Sequence, residues 1–387
     1  MKNIFLFLLF WTSGFYANAQ YFTTSDSLFK EQKPMTGRIW GYGFGDYFYK
    51  THSDSLARGG SNQYSSAKTD DNAFALRRLY LGYDFNINEK FSTEILLAAE
   101  DWNQEKNLAF FVKYANLRWK NVWKGTDLVI GQTATPAFSK SSEAFWSYRS
   151  IERTITDIRR TQSYDFGIAL HGIFDEKGNY GYNAMIGNGT GALAENNRFK
   201  KFYGSVYAYF FDKKIIVDLY ADYERTNWQP HFHHSQNMVK LFVGYTSKPV
   251  TIGIEGFLNQ RKQDLEVQNG TTKDTLNASS IGLSAFVHGN IIDKKLSFFA
   301  RMDFFNPYVN YRNTDYQTYN GFSKNYDLNT KEKFITAGLD FTPAKNVHFM
   351  PNIWLNTYQS QDKMLTGKAA GDYDLVYRMT FYYIFGK

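Results

Sequence analysis

The sequence predicts an all-β protein, a transmembrane antiparallel β-barrel of about 16 strands. Three observations lead to this fold class. Segments in which apolar and polar residues alternate recur along the chain, and a period of two is the strand signature. Aromatic residues make up 19% of the chain, which suits strands and membrane-interface belts. The connections between the segments alternate between short and long.

The N-terminus has the features of a secretory signal. Lys2 precedes an apolar run over residues 4–11, and residues 17–19 read Ala-Asn-Ala, the small-x-small pattern before a cleavage site. A buried N-terminal helix or strand is the alternative for this apolar run. We predict a signal peptide over 1–19, a short periplasmic segment over 20–35 and the transmembrane barrel over 36–387.

Composition narrows the class of protein further. The chain has 29 Tyr and 35 Phe but no Cys, so it offers neither a disulfide framework nor a thiolate metal site. Its net charge of +7 is scattered instead of clustered, which argues against a nucleic-acid partner. The mature chain lacks the run of about 20 apolar residues that a membrane-spanning helix needs.

The strand segments are near ten residues long, the length of a tilted membrane-spanning strand. In the segment over 163–174, Phe166 and Ile168 alternate with Asp165 and His171. We expect the apolar face to contact lipid, because a charge there costs about 2–4 kcal/mol at mid-membrane for Arg or Lys and less for Asp or Glu. The predicted strands are 37–50, 73–87, 90–101, 109–119, 126–133, 163–174, 180–188, 201–211, 214–225, 237–247, 250–261, 278–290, 294–305, 333–342, 346–357 and 373–386.

The connections predict how the strands are arranged. Outer-membrane barrels have tight turns on the periplasmic side and longer loops outside. A sheet within lipid must also close on itself, because each unpaired backbone group costs several kcal/mol there. The predicted short turns are 86–89, 175–179, 212–213, 248–249 and 343–345, and the predicted long loops are 51–72, 134–162, 189–200, 262–277, 306–332 and 358–372.

The alternate positions of these strands that carry polar residues supply the candidate pore-lining residues. These positions carry acidic residues, for example Glu94, Asp222 and Asp340, as well as basic ones, so they do not form a continuous basic ladder. The predicted pore-lining residues are Arg78, Asp165, His171, Asp218, Arg301 and Arg378.

The loop over 134–162 is the strongest candidate for a functional segment. It carries five cations and three acids, a net charge of +2. Guanidinium groups bind phosphate and carboxylate through paired donors, so the arginines could line an anion-attracting constriction. They could equally pair with carboxylates and hold the loop in place. The cations are Lys140, Arg149, Arg153, Arg159 and Arg160, and the acids are Glu143, Glu152 and Asp157.

The chain has no phosphate-binding loop, GxSxG elbow or HExxH motif, so we expect neither an enzyme nor a cofactor. The nearest metal-like cluster is formed by His231, His233 and His234, which the strand pattern places in an external loop. No carboxylate or Cys lies beside it. A solvated loop is the simpler interpretation, and a metal site remains the alternative.

Three stretches resemble the phosphate-selective porin O and P family: RRLYLGYDF from Arg77, GQTATPAFSKSSEAFWSYRSIERT from Gly131 and RRTQSYDFGIALHG from Arg159. The resemblance implies a sixteen-stranded, usually trimeric diffusion channel whose third external loop folds inward and carries arginines. The residues that fall in the matching stretch are Arg149, Arg153, Arg159 and Arg160.

The sequence and this resemblance together predict a passive porin in the outer membrane of a Gram-negative bacterium. Small polar or anionic solutes, phosphate among them, are its expected cargo, and outer-membrane lipid and two further copies of the chain its expected partners. The alternative is an outer-membrane barrel enzyme or adhesin that acts through its external loops.

Overall fold

The computed structural model describes residues 36–59, 64–100, 109–137, 142–159, 161–195, 197–229, 232–269, 272–309, 318–321 and 328–386. All of them belong to one compact unit, Met35–Lys387. The predicted signal peptide and the segment over 20–35 lie outside the described residues and stay predictions.

Strands make up nearly all of the described chain, because its alternating, β-branched and aromatic segments suit a pleated sheet with two different faces. The strands are β1 Thr36–His52, β2 Asn72–Asn86, β3 Phe91–Glu100, β4 Phe110–Trp123, β5 Thr126–Ala134, β6 Tyr164–Ile173, β7 Tyr180–Gly187, β8 Lys201–Phe210, β9 Ile215–Gln229, β10 Phe232–Thr246, β11 Val250–Asn269, β12 Thr272–Ile292, β13 Leu296–Asn306, β14 Thr318–Gly321, β15 Thr330–Ala344, β16 Val347–Ser360 and β17 Gly371–Phe385.

The sheet closes on itself. Consecutive barrel strands pair antiparallel, β13 pairs directly with β15, and β17 returns to pair with β1, where Tyr42 lies opposite Ile384. The four-residue strand β14 pairs with the outer part of β11 and does not interrupt the barrel. The predicted fold, a closed antiparallel barrel of sixteen strands, is confirmed.

The two faces of the barrel differ as the alternation requires. On the outer face, Ile168 is 53% exposed and Leu283 is 51% exposed. Asp165 has the opposite parity to Ile168 in β6, so it points inward, and it is fully covered. Aromatic side chains such as Trp119, Tyr180 and Tyr383 lie on the outer face near the short turns. This arrangement is the aromatic girdle of a membrane barrel, with rings at the interface and aliphatic side chains between.

Two of the connections differ from the predicted ones. Strands β11 and β12 continue to Asn269 and from Thr272, so the predicted loop over 262–277 is wrong and a long hairpin replaces it. In the same way β9 reaches Gln229 and β10 begins at Phe232. The ladders extend because residues such as Val267 and Thr275 can keep pairing once the strands have left the barrel.

The helices are short: α1 Ser142–Trp146, α2 Ile155–Arg159 and α3 Gly367–Ala370. Among the described residues, no helix has the length and apolarity needed to cross a bilayer. The first two helices lie in the connection between β5 and β6, which we call the inward loop (residues 135–163).

Candidate functional site

The inward loop folds into the barrel, as predicted. Trp146 and Ile151 have no exposed surface, and Ile155 is 1% exposed. The Trp146 ring packs against Phe286 of β12, with ring centroids 5.3 Å apart, and against Phe299 of β13 at 6.2 Å. Apolar contacts with the β10–β13 wall therefore hold the loop on one side of the barrel interior.

Arginines of the barrel wall hold the backbone of this loop between residues 150 and 153. Loop carbonyls inside a barrel need donors to replace water, and guanidinium groups supply charge-assisted ones. Arg77 donates to the carbonyl of Ser150, Arg378 Nη2 to that of Ile151 at 3.2 Å, and Arg301 Nη1 to that of Arg153 at 2.6 Å. We call Arg77, Arg301 and Arg378 the wall arginines.

Carboxylates of the wall neutralise these arginines. Arg301 pairs with Asp303 at 2.5 Å, and Arg77 pairs with Asp46 at 2.5 Å. Asp46 also accepts a hydrogen bond from the hydroxyl of Thr380 at 2.5 Å, and it forms a longer ion pair with Arg378 at 3.9 Å. The predicted pore-lining residues Arg301 and Arg378 thus point into the barrel, but both are nearly covered, and their charge is used to anchor the inward loop.

Two β-bulges place additional cations inside the barrel. The pairing of β1 with β2 shifts between Phe44 and Gly45, so the adjacent Arg77 and Arg78 both point inward, although strict alternation would send one of them to lipid. A second shift, opposite Leu96, turns Lys113 inward together with its neighbour Tyr114. Strict period-two counting identified Arg78 and missed Arg77 and Lys113, because a bulge has no reliable signature in a single sequence.

The cluster formed by Arg78, Lys113 and Glu100 is the direct consequence of these bulges. Lys113 Nζ lies 2.6 Å from Glu100 Oε1, and Arg78 Nη1 lies 3.7 Å from Glu100 Oε2. Tyr80 completes the cluster, because its hydroxyl donates to Glu100 at 2.6 Å. Two cations share one carboxylate here, so the cluster carries a surplus positive charge.

The arginines of the inward loop have different environments. Arg149 bridges Glu143 at 2.9 Å and Asp157 at 2.8 Å, and its side chain is 20% exposed. Arg153 is 26% exposed and lies 3.9 Å from Glu152, a longer contact than either of the Arg149 pairs. These two arginines keep part of their surface open to the barrel interior.

Arg159 is an anchor of the loop. Its Nη2 lies 2.6 Å from Glu332 of β15, its guanidinium lies 4.5 Å from the centroid of the Phe305 ring, and its side chain is only 6% exposed. Lys140 and Arg160, the other two predicted cations, lie outside the described residues. Residues 142–159 contain three arginines and three carboxylates, so the described part of the loop has no net charge.

Asp157 and Glu152 of the loop are held in their charged form. Burial raises the pKa of the Asp157 carboxyl, but Arg149 and then Arg153 more than offset this effect, and its pKa lies below the ordinary value. For Glu152, burial likewise raises the pKa, and Arg153 and Arg77 lower it further than burial raises it. Both ion-paired networks therefore persist at pH values at which an isolated carboxyl takes up a proton.

The free face of the inward loop is directed at the wall formed by β1, β2, β4 and β6. Arg149 lies within electrostatic range of Tyr80 and Tyr42, and Asp157 within that of Tyr114 and Tyr164. Charged groups of the loop thus lie near tyrosines of this wall.

The other predicted pore-lining residues point inward with different exposure. Asp165 is fully covered and accepts from Tyr203 at 2.8 Å and from the Gly189 amide at 2.7 Å. His171 is partly exposed, and its Nδ1 lies 2.7 Å from Asn183 Oδ1. Asp218 is covered, and neither of its carboxylate oxygens has a hydrogen-bond partner among the described residues.

The histidine cluster does not form a solvated loop in the described part of the chain. His234 lies in strand β10 at a register shift and is 1% exposed, so the loop prediction is wrong for it. His231 lies outside the described residues, and only the backbone of His233 is described. Among the side chains that the structure describes, no three His, Asp or Glu residues are grouped as metal ligands.

A second loop, which the sequence did not single out as inward, also enters the barrel. In the connection between β1 and β2, the Tyr64 hydroxyl donates to Asp46, and Lys50 Nζ donates to the Tyr64 carbonyl at 2.8 Å. The Arg378 guanidinium lies 5.7 Å from the centroid of the Tyr64 ring. Tyr64 therefore joins the network that holds the inward loop, and a tyrosine in a polar loop gives no sequence signal for this role.

Solved structures share this fold. The outer membrane channel DcaP of Acinetobacter baumannii is 10% identical, with a TM-score of 0.62 over 91% of this chain and 97% of that one. An anion-selective porin from Comamonas acidovorans is 11% identical, with a TM-score of 0.60 over 91% and 100%. The trimer form of OmpT, an outer membrane protein of Vibrio cholerae, is 11% identical, with a TM-score of 0.57 over 91% and 99%. At these identities the likeness concerns the fold.

No protein-family model matches the chain, and no curated protein sequence matches it. The resemblance to the phosphate-selective porin O and P family therefore stays a prediction, whereas the porin fold itself is found.

Proposed function

We propose that this protein is an outer-membrane porin, a passive channel through which small polar solutes diffuse down their gradients. The observation that carries the proposal is the inward loop, which lies inside a closed barrel and leaves Arg149 and Arg153 partly exposed there. A pore of this kind contributes a width and an electric field, and it needs no cofactor.

Charge balance supports a weak anion preference more than strong phosphate selectivity. The three arginines in the described part of the loop are matched by three carboxylates, and Arg159 is covered by Glu332 and Phe305. Arg153 is the most exposed of the three, and its ion pair is the longest. We therefore assign the anion preference chiefly to Arg153, with Lys140 and Arg160 as further cations of the same loop.

We further propose that residues 1–19 direct export and that the barrel assembles as a homotrimer in the outer membrane of a Gram-negative bacterium. The support is the N-terminal signal pattern, the fold shared with outer membrane proteins, and the trimer form recorded for one of them. Cross-linking of the protein in native outer membranes should give a ladder that ends at three copies.

Planar-bilayer recording tests the channel. The purified protein should insert in discrete conductance steps, and a KCl gradient should give a reversal potential on the anion side. Arg153→Gln should move that potential toward cation preference, and the shift should be larger at low salt because ions screen exposed charges.

The matched control is Lys124→Gln, which removes one cation from an exposed pair with Glu176 in a short turn. It should leave the reversal potential unchanged. Absence of conductance steps from a correctly folded barrel would refute the porin proposal, and an unchanged potential in Arg153→Gln would refute the role given to Arg153.

A further inference from the structure

Aromatic side chains form a continuous band on the wall that faces the free side of the inward loop. The Tyr42 ring centroid lies 4.5 Å from that of Tyr80, 6.1 Å from that of Tyr382 and 6.4 Å from that of Trp40. Phe111 and Tyr114 of β4 pack against the same group of rings. We call this surface the aromatic band.

Small residues beneath the rings allow the band to form. A side chain at Gly82 of β2 would meet the Trp40 ring, because an ideal Cβ there would lie 2.3 Å from it. Ala98 of β3, opposite Tyr80, is completely covered. These small residues leave room on the wall for the Trp40 and Tyr80 rings.

Part of the band is open to the barrel interior. Tyr42, Phe111, Tyr114 and Tyr382 are all partly exposed, although they point inward. On the opposite wall the corresponding aromatic side chains, such as Phe242, are completely covered by the inward loop. The aromatic surface that stays uncovered in this way is available to a solute.

Charges of both signs surround the band. Arg149 and Asp157 face it from the inward loop, where they form an ion pair with each other at 2.8 Å. From the wall itself, Lys113 Nζ lies 5.1 Å from the centroid of the Tyr80 ring and 5.0 Å from that of Tyr164. The passage therefore offers flat apolar faces together with hydrogen-bond donors and acceptors.

We propose that the aromatic band binds pyranose sugars in transit. A pyranose has an apolar C–H face that stacks on an aromatic ring, and hydroxyl groups around its edge that need both donors and acceptors. Neutral sugars also suit a loop whose described charges balance. Tyr42, Phe111, Tyr114 and Tyr382 are the rings of the band that a sugar can contact, because Trp40 and Tyr80 are only 7% and 1% exposed. This inference rests on the proposed channel function and names a class of solute for it.

Blocking of the ion current by sugars tests the proposal. In a planar bilayer, maltose added to the KCl solution should reduce the current in a saturable way. Sorbitol at equal viscosity carries hydroxyl groups but no ring, and it should reduce the current only in proportion to viscosity. Equal, non-saturable effects of the two compounds on the wild-type channel would overturn the sugar proposal.

Variants locate the site. Tyr42→Leu and Tyr114→Leu keep apolar bulk but remove the flat ring, and each should weaken the maltose block roughly three- to ten-fold, the change expected for one lost stacking partner. Tyr209→Leu is the matched control, because Tyr209 is a partly exposed inward tyrosine of β8 outside the band. Equal block in all three variants would refute the band as the binding surface.

The outcomes separate the two proposals. Normal KCl conductance without saturable maltose block would refute the sugar inference alone. Absence of KCl conductance would refute the channel function, and with it the sugar inference.

Discussion

Arg301 of strand β13 donates from Nη1 to the backbone carbonyl oxygen of Arg153 at 2.6 Å, while its other nitrogens hold Asp303. A covered arginine of the wall thus fixes the backbone that carries Arg153, the most exposed of the three described arginines of the inward loop. The position of the exposed charge is determined by residues distant in sequence, and this relationship leads to the first prediction.

Arg301→Lys should loosen the inward loop. Lysine keeps the charge opposite Asp303 but lacks the planar fork that bonds the carboxylate and the loop carbonyl together. The loss of one charge-assisted hydrogen bond, about 1.5–3 kcal/mol, should raise the open-channel noise and the mean conductance of single channels. Arg118→Lys is the control, because Arg118 forms a half-exposed pair with Asp127 away from the loop. Noise equal to that of the wild type in Arg301→Lys would contradict this anchoring role.

Arg159→Gln should destabilise the barrel with little effect on ion selectivity. It leaves the covered carboxylate of Glu332 without its ion pair, which costs about 3–5 kcal/mol for a buried pair. The measurement is the urea midpoint of unfolding, beside the reversal potential. The double variant Arg159→Met with Glu332→Leu should recover much of the stability, because it removes both charges. A normal midpoint with a large selectivity shift in Arg159→Gln would instead make Arg159 a pore charge.

The pair between Asp157 and Arg149 should hold the inward loop until strongly acidic conditions. The pKa of Asp157 is depressed in the folded protein, so its pair with Arg149 stabilises the loop above the ordinary carboxyl range and is lost only as pH falls through the lower folded pKa. We expect the conductance change that depends on this pair only below about pH 4, where an isolated Asp titrates. Asp157→Asn should show the acid-state conductance at neutral pH and lack this transition. An acid transition that is unchanged in Asp157→Asn would contradict this assignment.

Thiol labelling should distinguish the two faces of β6. His171 points inward and is partly exposed, whereas Ile168 is 53% exposed on the outer face. In the cysteine-free chain, His171→Cys should react with a charged, water-soluble maleimide, and Ile168→Cys should react only with a lipid-soluble one. Asp165 is unsuitable as the inward probe because it is fully covered. The reverse labelling pattern would mean that the strand register is wrong.

The alternating pattern and the rhythm of short and long connections were sufficient to predict the barrel. Sixteen segments of period two predicted sixteen barrel strands, most of them within a few residues of their observed bounds, because alternation directly records a sheet with one lipid face and one interior face. The inward position of the loop, predicted over 134–162, rested on the family resemblance, and its length and charge agreed. These features are local, or repeat along the chain, and can therefore be read without the fold.

Tertiary structure alone decided which charges are available. Arg159 and Glu332 are 173 residues apart in sequence, and only barrel closure brings them to 2.6 Å, which turns a predicted constriction residue into an anchor. The bulges that direct Arg77 and Lys113 inward depend on the register between neighbouring strands, and the single-chain pattern does not record it. Side-chain parity is a property of one strand, whereas ion pairing and exposure are properties of the closed barrel. The sequence therefore determined the architecture, and three-dimensional packing determined the chemistry of the passage.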